Sequence, residues 1–135
     1  MAFYRGERHF GADGYALIGR KPELAIAKFN RLIGRNADHP LAKELKQQHF
    51  PYEIYSNETT SVSSIKVDST YYTPEELMAM MLQHAKQLTL NFGGKVIKDC
   101  VITVPSSFTT HEKSGMYESM IYTYLISKRF GYLGT

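Results

Sequence analysis

One short run constrains the fold more than any other stretch of this chain. Cys100-Val101-Ile102-Thr103-Val104 is apolar and β-branched, with Lys98-Asp99 before it and Pro105 after it. A run without polar alternation reads as a strand buried on both faces, the kind found in a parallel sheet. One helix signal precedes it and another follows, which is α/β grammar. A parallel sheet needs sister strands, and no other β-branched run here is equally apolar. The expectation is part of a sheet whose remainder is missing from these residues.

The helix signal before the run is the strongest in the sequence. In Thr73-Pro74-Glu75-Glu76, Thr73 can cap, Pro74 suits the first helical position and Glu76 completes a capping box. Leu77, Met81, Ala85, Leu88 and Phe92 follow at spacings of three and four, and Asn91 with Gly93-Gly94 closes the helix. After the run, Thr109 and Glu112 offer a second capping box. Upstream, helical spacing predicts helices over 11–19, over 23–34 with Pro22 at the start and Gly34 as C-cap, and over 40–48. Between Tyr52 and Tyr72 the period falls to two. Two or three antiparallel strands are expected there, with Ser56-Asn57-Glu58-Thr59 as a turn.

Composition excludes several classes. The chain has 135 residues, 43% hydrophobic and 21% charged, which suits one domain with a modest core and argues against wholesale disorder. Sixteen basic residues are interleaved with 13 acidic ones for a formal charge of +3, too weak a bias for a phosphate-tracking stripe, so no nucleic-acid partner is expected. The longest apolar run, Leu77-Met78-Ala79-Met80-Met81-Leu82, is far short of the ~20 residues that span a bilayer, so no membrane segment is expected. A single cysteine, Cys100, forbids an internal disulfide. The first residues lack the apolar core of a signal peptide. Either the chain resides in the cytosol or the native protein begins upstream of Met1.

Candidate chemistry is sparse. Gly14-Tyr15-Ala16-Leu17-Ile18-Gly19-Arg20-Lys21 approaches a phosphate-binding loop but has Arg20 where Lys is needed and Lys21 where a hydroxyl is needed. A helix closed by Gly19 is the better reading. The five histidines show no ligand spacing, so no metal is expected. Glu75 and Glu76 are adjacent, so they point apart, and first-turn acids suit the helix dipole. Ser106-Ser107 lacks a local base or elbow glycines. Met78, Met80 and Met81 read as core before they read as an adaptable binding surface. Asn57-Glu58-Thr59 is a glycosylation sequon, informative only in a secretory compartment.

Several stretches, taken in order, resemble the Hsp70 chaperone superfamily. They are Gly6-Glu7-Arg8-His9-Phe10-Gly11, Arg31-Leu32-Ile33-Gly34-Arg35, Tyr72-Thr73-Pro74-Glu75-Glu76-Leu77 and Val101-Ile102-Thr103-Val104-Pro105-Ser106-Ser107-Phe108. Each is weak alone; their order and separations make the resemblance specific, over about residues 3–116. The wording around Arg8-His9-Phe10-Gly11 and Lys98-Asp99-Cys100-Val101 resembles the large endoplasmic-reticulum branch, the hypoxia-up-regulated or glucose-regulated chaperones.

The resemblance implies an α/β (α+β-like) fragment of an actin-like ATPase domain, a slice of its lobe I. Residues 1–95 would form subdomain IB, with a small antiparallel sheet and packed helices. Residues 96–116 would begin subdomain IA with a strand and a helix start, and 117–135 would be a divergent Tyr-rich tail. It implies a parent that uses ATP or ADP with Mg in the endoplasmic reticulum lumen and binds other Hsp70-type chaperones or co-chaperones. Unfolded proteins would be held only by a substrate domain outside this chain, and no cofactor is expected for the chain alone. By resemblance Asn30 and Arg31 face the nucleotide, Asn30 standing where a lysine is usual. Pro105 matches the family's proline switch and Lys113 stands where its partner arginine is usual. Asn30 is neutral and the family's phosphate loops are absent from these residues, so the expectation is no ATP hydrolysis by the isolated chain. The alternative is a nucleotide-independent module that binds a partner chaperone. In either case the unpaired edge at 100–104 is expected to drive self-association.

Overall fold

The computed structural model describes residues 1–48, 52–56 and 62–129, and of 124–129 the backbone only. Asn57 and the turn expected around it therefore lie outside the described residues.

The chain opens with a hairpin that the sequence reading did not anticipate. Strands β1 (Ala2–Tyr4) and β2 (Glu7–His9) pair antiparallel, Phe3 opposite Arg8, around a two-residue turn. Arg5 and Gly6 both have positive φ, the mirror-image turn whose twist matches a hairpin. Helix α1 (Gly11–Ala16) follows and ends one residue later at Leu17, short of Gly19.

The helix expected over 23–34 is not formed. Two short 3₁₀ turns, Pro22–Leu24 and Phe29–Leu32, stand in its place, separated by extended Ala25 and by Lys28 with φ of 58°. The reason is tertiary. Ala25 bridges Ala2, and Ile26 exchanges hydrogen bonds with the Met1 residue, its N–H donating to the Met1 carbonyl at 2.8 Å. Pairing with β1 draws the backbone out of the helix that its periodicity favours.

Helix α2 (Pro40–Gln47) forms where expected, with Pro40 at its first position and the His39 ring nitrogen Nδ1 accepting from Leu41 N–H at 3.2 Å. The period-two segment makes a three-stranded antiparallel sheet in the order β3 (Ile54–Ser56), β4 (Ser63–Val67), β5 (Thr70–Tyr72). In β4, Ser63, Ile65 and Val67 face inward and Lys66 faces solvent, as the alternation requires.

Helix α3 (Pro74–Gly93) begins with the full capping box: Thr73 Oγ1 accepts from Glu76 N–H, and Glu76 Oε2 accepts from Thr73 N–H at 2.9 Å. Its first turns carry Leu77 and Met80 into a core shared with Ile26, Phe29, Leu32, Leu45, Ile54 and Ile65. Met78 and Met81 pack against the same core, so the methionine cluster is core rather than a free surface. The apolar stripe continues further than the core does, leaving Leu88 exposed and Phe92 at 93%.

Residues 95–109 form a connector with no assigned strand, and Val101 in it is 94% exposed. The strand expected at 100–104 is thus absent, because a strand exists only as one side of a hydrogen-bonded ladder and no described strand lies beside it. Helix α4 (Thr110–Arg129) then packs along α3. It runs unbroken through Met116, where the sequence reading placed the start of a divergent tail.

Leu77, fully buried beneath the sheet, is the side chain whose truncation tests this core. Leu77→Ala is expected to lower the unfolding free energy by about 2–5 kcal/mol, measured by urea denaturation followed by circular dichroism.

Candidate functional site

The 3₁₀ turn over Phe29–Leu32 sorts its side chains by burial. Phe29, Leu32 and Ile33 enter the core, which leaves Asn30 and Arg31 on the outer surface. There they line a cleft of about 390 Å³ together with Ile33, Arg35, Leu41 of α2 and Met78 of α3. Its far side comes from the connector and α4: Thr103, Pro105, Phe108 and Met116. Three of the residues singled out in the sequence, Asn30, Arg31 and Pro105, are therefore brought together across some 75 positions of chain. Lys113 is not among the lining residues; it is exposed on α4.

Both guanidiniums in the cleft are already engaged. Arg31 Nη2 lies 3.4 Å from the Glu44 carboxylate, with both side chains partly exposed. Arg35 is more enclosed: its guanidinium pairs with Glu112, and its Nη1 donates to the Arg31 carbonyl at 3.0 Å. Glu112 also accepts from Thr109 N–H, closing the capping box expected at that helix start. The Thr109 amide, reinforced by Arg35, holds the Glu112 carboxyl below the usual carboxylate range despite some opposing desolvation.

The cleft wall is anchored from behind by Glu75. Its Oε1 accepts from Gly34 N–H at 2.8 Å, while the neighbouring Glu76 is turned to Thr73, so the adjacent acids do point apart. Burial pushes the Glu75 carboxyl up, the Gly34 hydrogen bond pulls it back, and Glu118 on α4 adds to the rise. Gly34 has φ of +65°, and a Cβ there would fall 2.4 Å from the His111 carbonyl oxygen. A Cβ on Gly115 would fall 2.8 Å from Gly34 N. The 31–35 segment and α4 thus meet backbone to backbone through two glycines.

Sequence reasoning missed Arg35 and Glu112 as a pair and Gly115 altogether. Glu112 was visible only as a capping residue, and nothing local to Gly115 signals what will cross it.

The profile of the family described as Hsp70 protein matches residues 1–129, past Met116 where the sequence resemblance ended. The chain belongs to the Hsp70 family, and its helices and small antiparallel sheets are those of a fragment of the family's actin-like ATPase domain. Among its relatives, Hypoxia up-regulated protein 1 of Xenopus tropicalis is 29% identical over 120 residues, 88% of this chain and 19% of the relative. The protein of that name from Gallus gallus is 33% identical over 115 residues, 84% of this chain and 11% of the relative. Heat shock 70 kDa protein 17 of Arabidopsis thaliana is 30% identical over 122 residues, 88% of this chain and 14% of the relative. The chain therefore spans between about a tenth and a fifth of the length of these relatives.

Two predictions follow from the geometry around Gly34. Gly34→Ala and Gly115→Ala should each cost about 2–4 kcal/mol in urea denaturation, because a backbone atom rather than a flexible side chain blocks the new methyl. Gly19→Ala, where a Cβ meets nothing within 4 Å, is the control and should change stability by less than about 1 kcal/mol.

The two carboxylates act in opposite directions with pH. The folded state lowers the Glu112 value, so its contribution is full above the ordinary 4.5 and is lost as pH falls through the folded value. The folded state raises the Glu75 value, so its contribution favours folding in acid and fades as pH rises through that value. In urea midpoints measured from about pH 3 to pH 7, Glu112→Gln should flatten the acid-side loss, and Glu75→Gln should remove a loss on the rising side.

Proposed function

We propose that this chain is a wall of the nucleotide cleft in an Hsp70-type chaperone, and that by itself it does not hydrolyse ATP. The parent would couple ATP turnover to protein folding and the stress response in the endoplasmic reticulum; membership of the Hsp70 family and relatives named for hypoxia up-regulation support the chaperone and stress-response parts of that reading. In that parent, ATP or ADP with Mg would be the cofactor and Hsp70-type chaperones or co-chaperones the partners.

The observation that carries the second half is the state of charge in the cleft. A phosphoryl group needs uncompensated positive charge or a metal ion held by oxygen donors. Here Arg31 faces Glu44, Arg35 faces Glu112, and Asn30 is a neutral amide. The remaining lining is mostly apolar, from Ile33, Leu41, Met78, Pro105, Phe108 and Met116, and among the described residues no carboxylate lines the cleft. These residues do not by themselves fit a triphosphate with Mg. Pro105 lines the cleft and Lys113 lies outside its lining.

A nucleotide-independent interaction module is the alternative, favoured by exposed Leu88 and Phe92 on the outer half of α3. Calorimetric titration of the chain with ATP·Mg, alongside a phosphate-release assay, is expected to show neither micromolar binding nor turnover. Micromolar affinity would overturn the proposal, whereas nucleotide-insensitive binding of a purified Hsp70 partner would select the alternative.

A further inference from the structure

The connector between α3 and α4 holds its backbone differently from the rest of the chain. Among the described residues, no hydrogen bond joins the peptide groups of 95–104 to any other segment. The nearest backbone bonds run from Gly94 N–H to the Leu90 carbonyl and from Phe108 N–H to the Pro105 carbonyl. Residues 95–101 are exposed throughout, Val101 at 94%. The segment leans on a groove between α3 and α4 through Ile97, Cys100 and Ile102. Lifting it away uncovers only part of these side chains and breaks no backbone pairing among the described residues.

An endoprotease takes its substrate as an extended strand whose peptide groups pair with the enzyme's own, so cleavage starts where a bond has open backbone on both sides. Of the chain's 16 lysines and arginines, Lys95 and Lys98 lie in this segment. Every other one sits in a helix, in a paired strand or its hairpin turn, or in a turn closed by backbone hydrogen bonds. Lys95 directly follows the Gly94 cap of α3, so seating an enzyme there unwinds the end of that helix. Lys98 has open backbone on both sides, from Lys95 before it to Val104 after it.

We propose that the connector is a processing site, cut at the Lys98–Asp99 bond by an endoprotease whose anionic specificity pocket takes the Lys98 ammonium. In the step, the Lys98 carbonyl carbon gains the oxygen of a water molecule and its bond to the Asp99 nitrogen breaks. Both water protons pass to that nitrogen, leaving a carboxylate on Lys98 and an ammonium on Asp99. The pieces 1–98 and 99–135 stay together, because the contacts that hold α4 bypass the connector. These are the Gly34–Gly115 crossing, the Arg35–Glu112 pair, and Thr123 Oγ1 donating to the Ala79 carbonyl at 3.3 Å. Cleavage thus places the apolar run 100–104 beside a new chain end without dismantling the fold. The proposal is independent of any nucleotide.

Limited digestion of the complete 135-residue chain with trypsin, followed by intact mass, reads the order of cuts. On the N-terminal side of α4, the expected first cut is Lys98–Asp99, at least about tenfold faster than any other there, since cleavage follows the population of open backbone. Size-exclusion chromatography should carry both pieces in one peak, and urea should part them. Lys98 is exposed, and circular dichroism checks that Lys98→Gln remains folded. That variant should be nicked in the connector about tenfold more slowly, through the Lys95 bond. A first cut elsewhere on that side, or a Lys98–Asp99 bond that resists until the chain unfolds, overturns the site. A Lys98→Gln variant nicked in the connector as fast as the parent overturns the choice of bond. Pieces that separate without urea overturn the two-piece product.

Discussion

The approach of two backbones at Gly34 and Gly115 is the contact on which the rest of the arrangement depends. Without side chains at either position, the 31–35 segment lies directly against the first turns of α4, and the Glu75 carboxylate reaches Gly34 N–H beside that crossing. This single approach sets two things. It holds Arg35 next to Glu112, and it sets Asn30 and Arg31 in the cleft that the connector helps to line. A buried carboxylate is costly when unpartnered, so the Gly34 amide and the α3 N-terminus make Glu75 tolerable as much as Glu75 holds them in place.

The electrostatics of the cleft follow from that packing. Its guanidiniums sit at the mouth of an apolar surface, and each is answered by a carboxylate from another element, Glu44 from α2 and Glu112 from α4. These pairs bind pieces of the fold to one another and leave little net positive charge for a ligand. The family to which the chain belongs is built around a nucleotide, yet the charge in this segment is spent on cohesion. Family membership and local chemistry are separate statements here, since function resides in a completed site and not in a fold.

Different parts of the fold were legible to different degrees. Helix α3 was legible because Thr73, Pro74 and Glu76 act within four residues, and capping is a local interaction. The β3–β5 sheet was legible because β4 alternates strictly and buries one face. The helix expected over 23–34 failed because Ile26 hydrogen-bonds to Met1, a partner 25 residues away that no window of periodicity contains. The N-terminal hairpin was passed over for a related reason: only Arg5-Gly6 marks it, and its strands are three residues each. Of the site, Asn30, Arg31 and Pro105 were chosen from resemblance, while Arg35, Glu112 and Gly115 emerged only once α4 was laid over the 31–35 segment.

The run Cys100-Val101-Ile102-Thr103-Val104 draws the line between the two levels. By itself the sequence determined its apolar character, its bounds at Asp99 and Pro105, and the helices on either side, since each of these is a property of neighbouring residues. Whether the run is a strand was decided by tertiary structure, because a ladder needs a second backbone at about 4.8 Å and side-chain pattern supplies only a preference. In this chain no described strand occupies that place, so a segment with every local mark of a buried strand lies open at the surface.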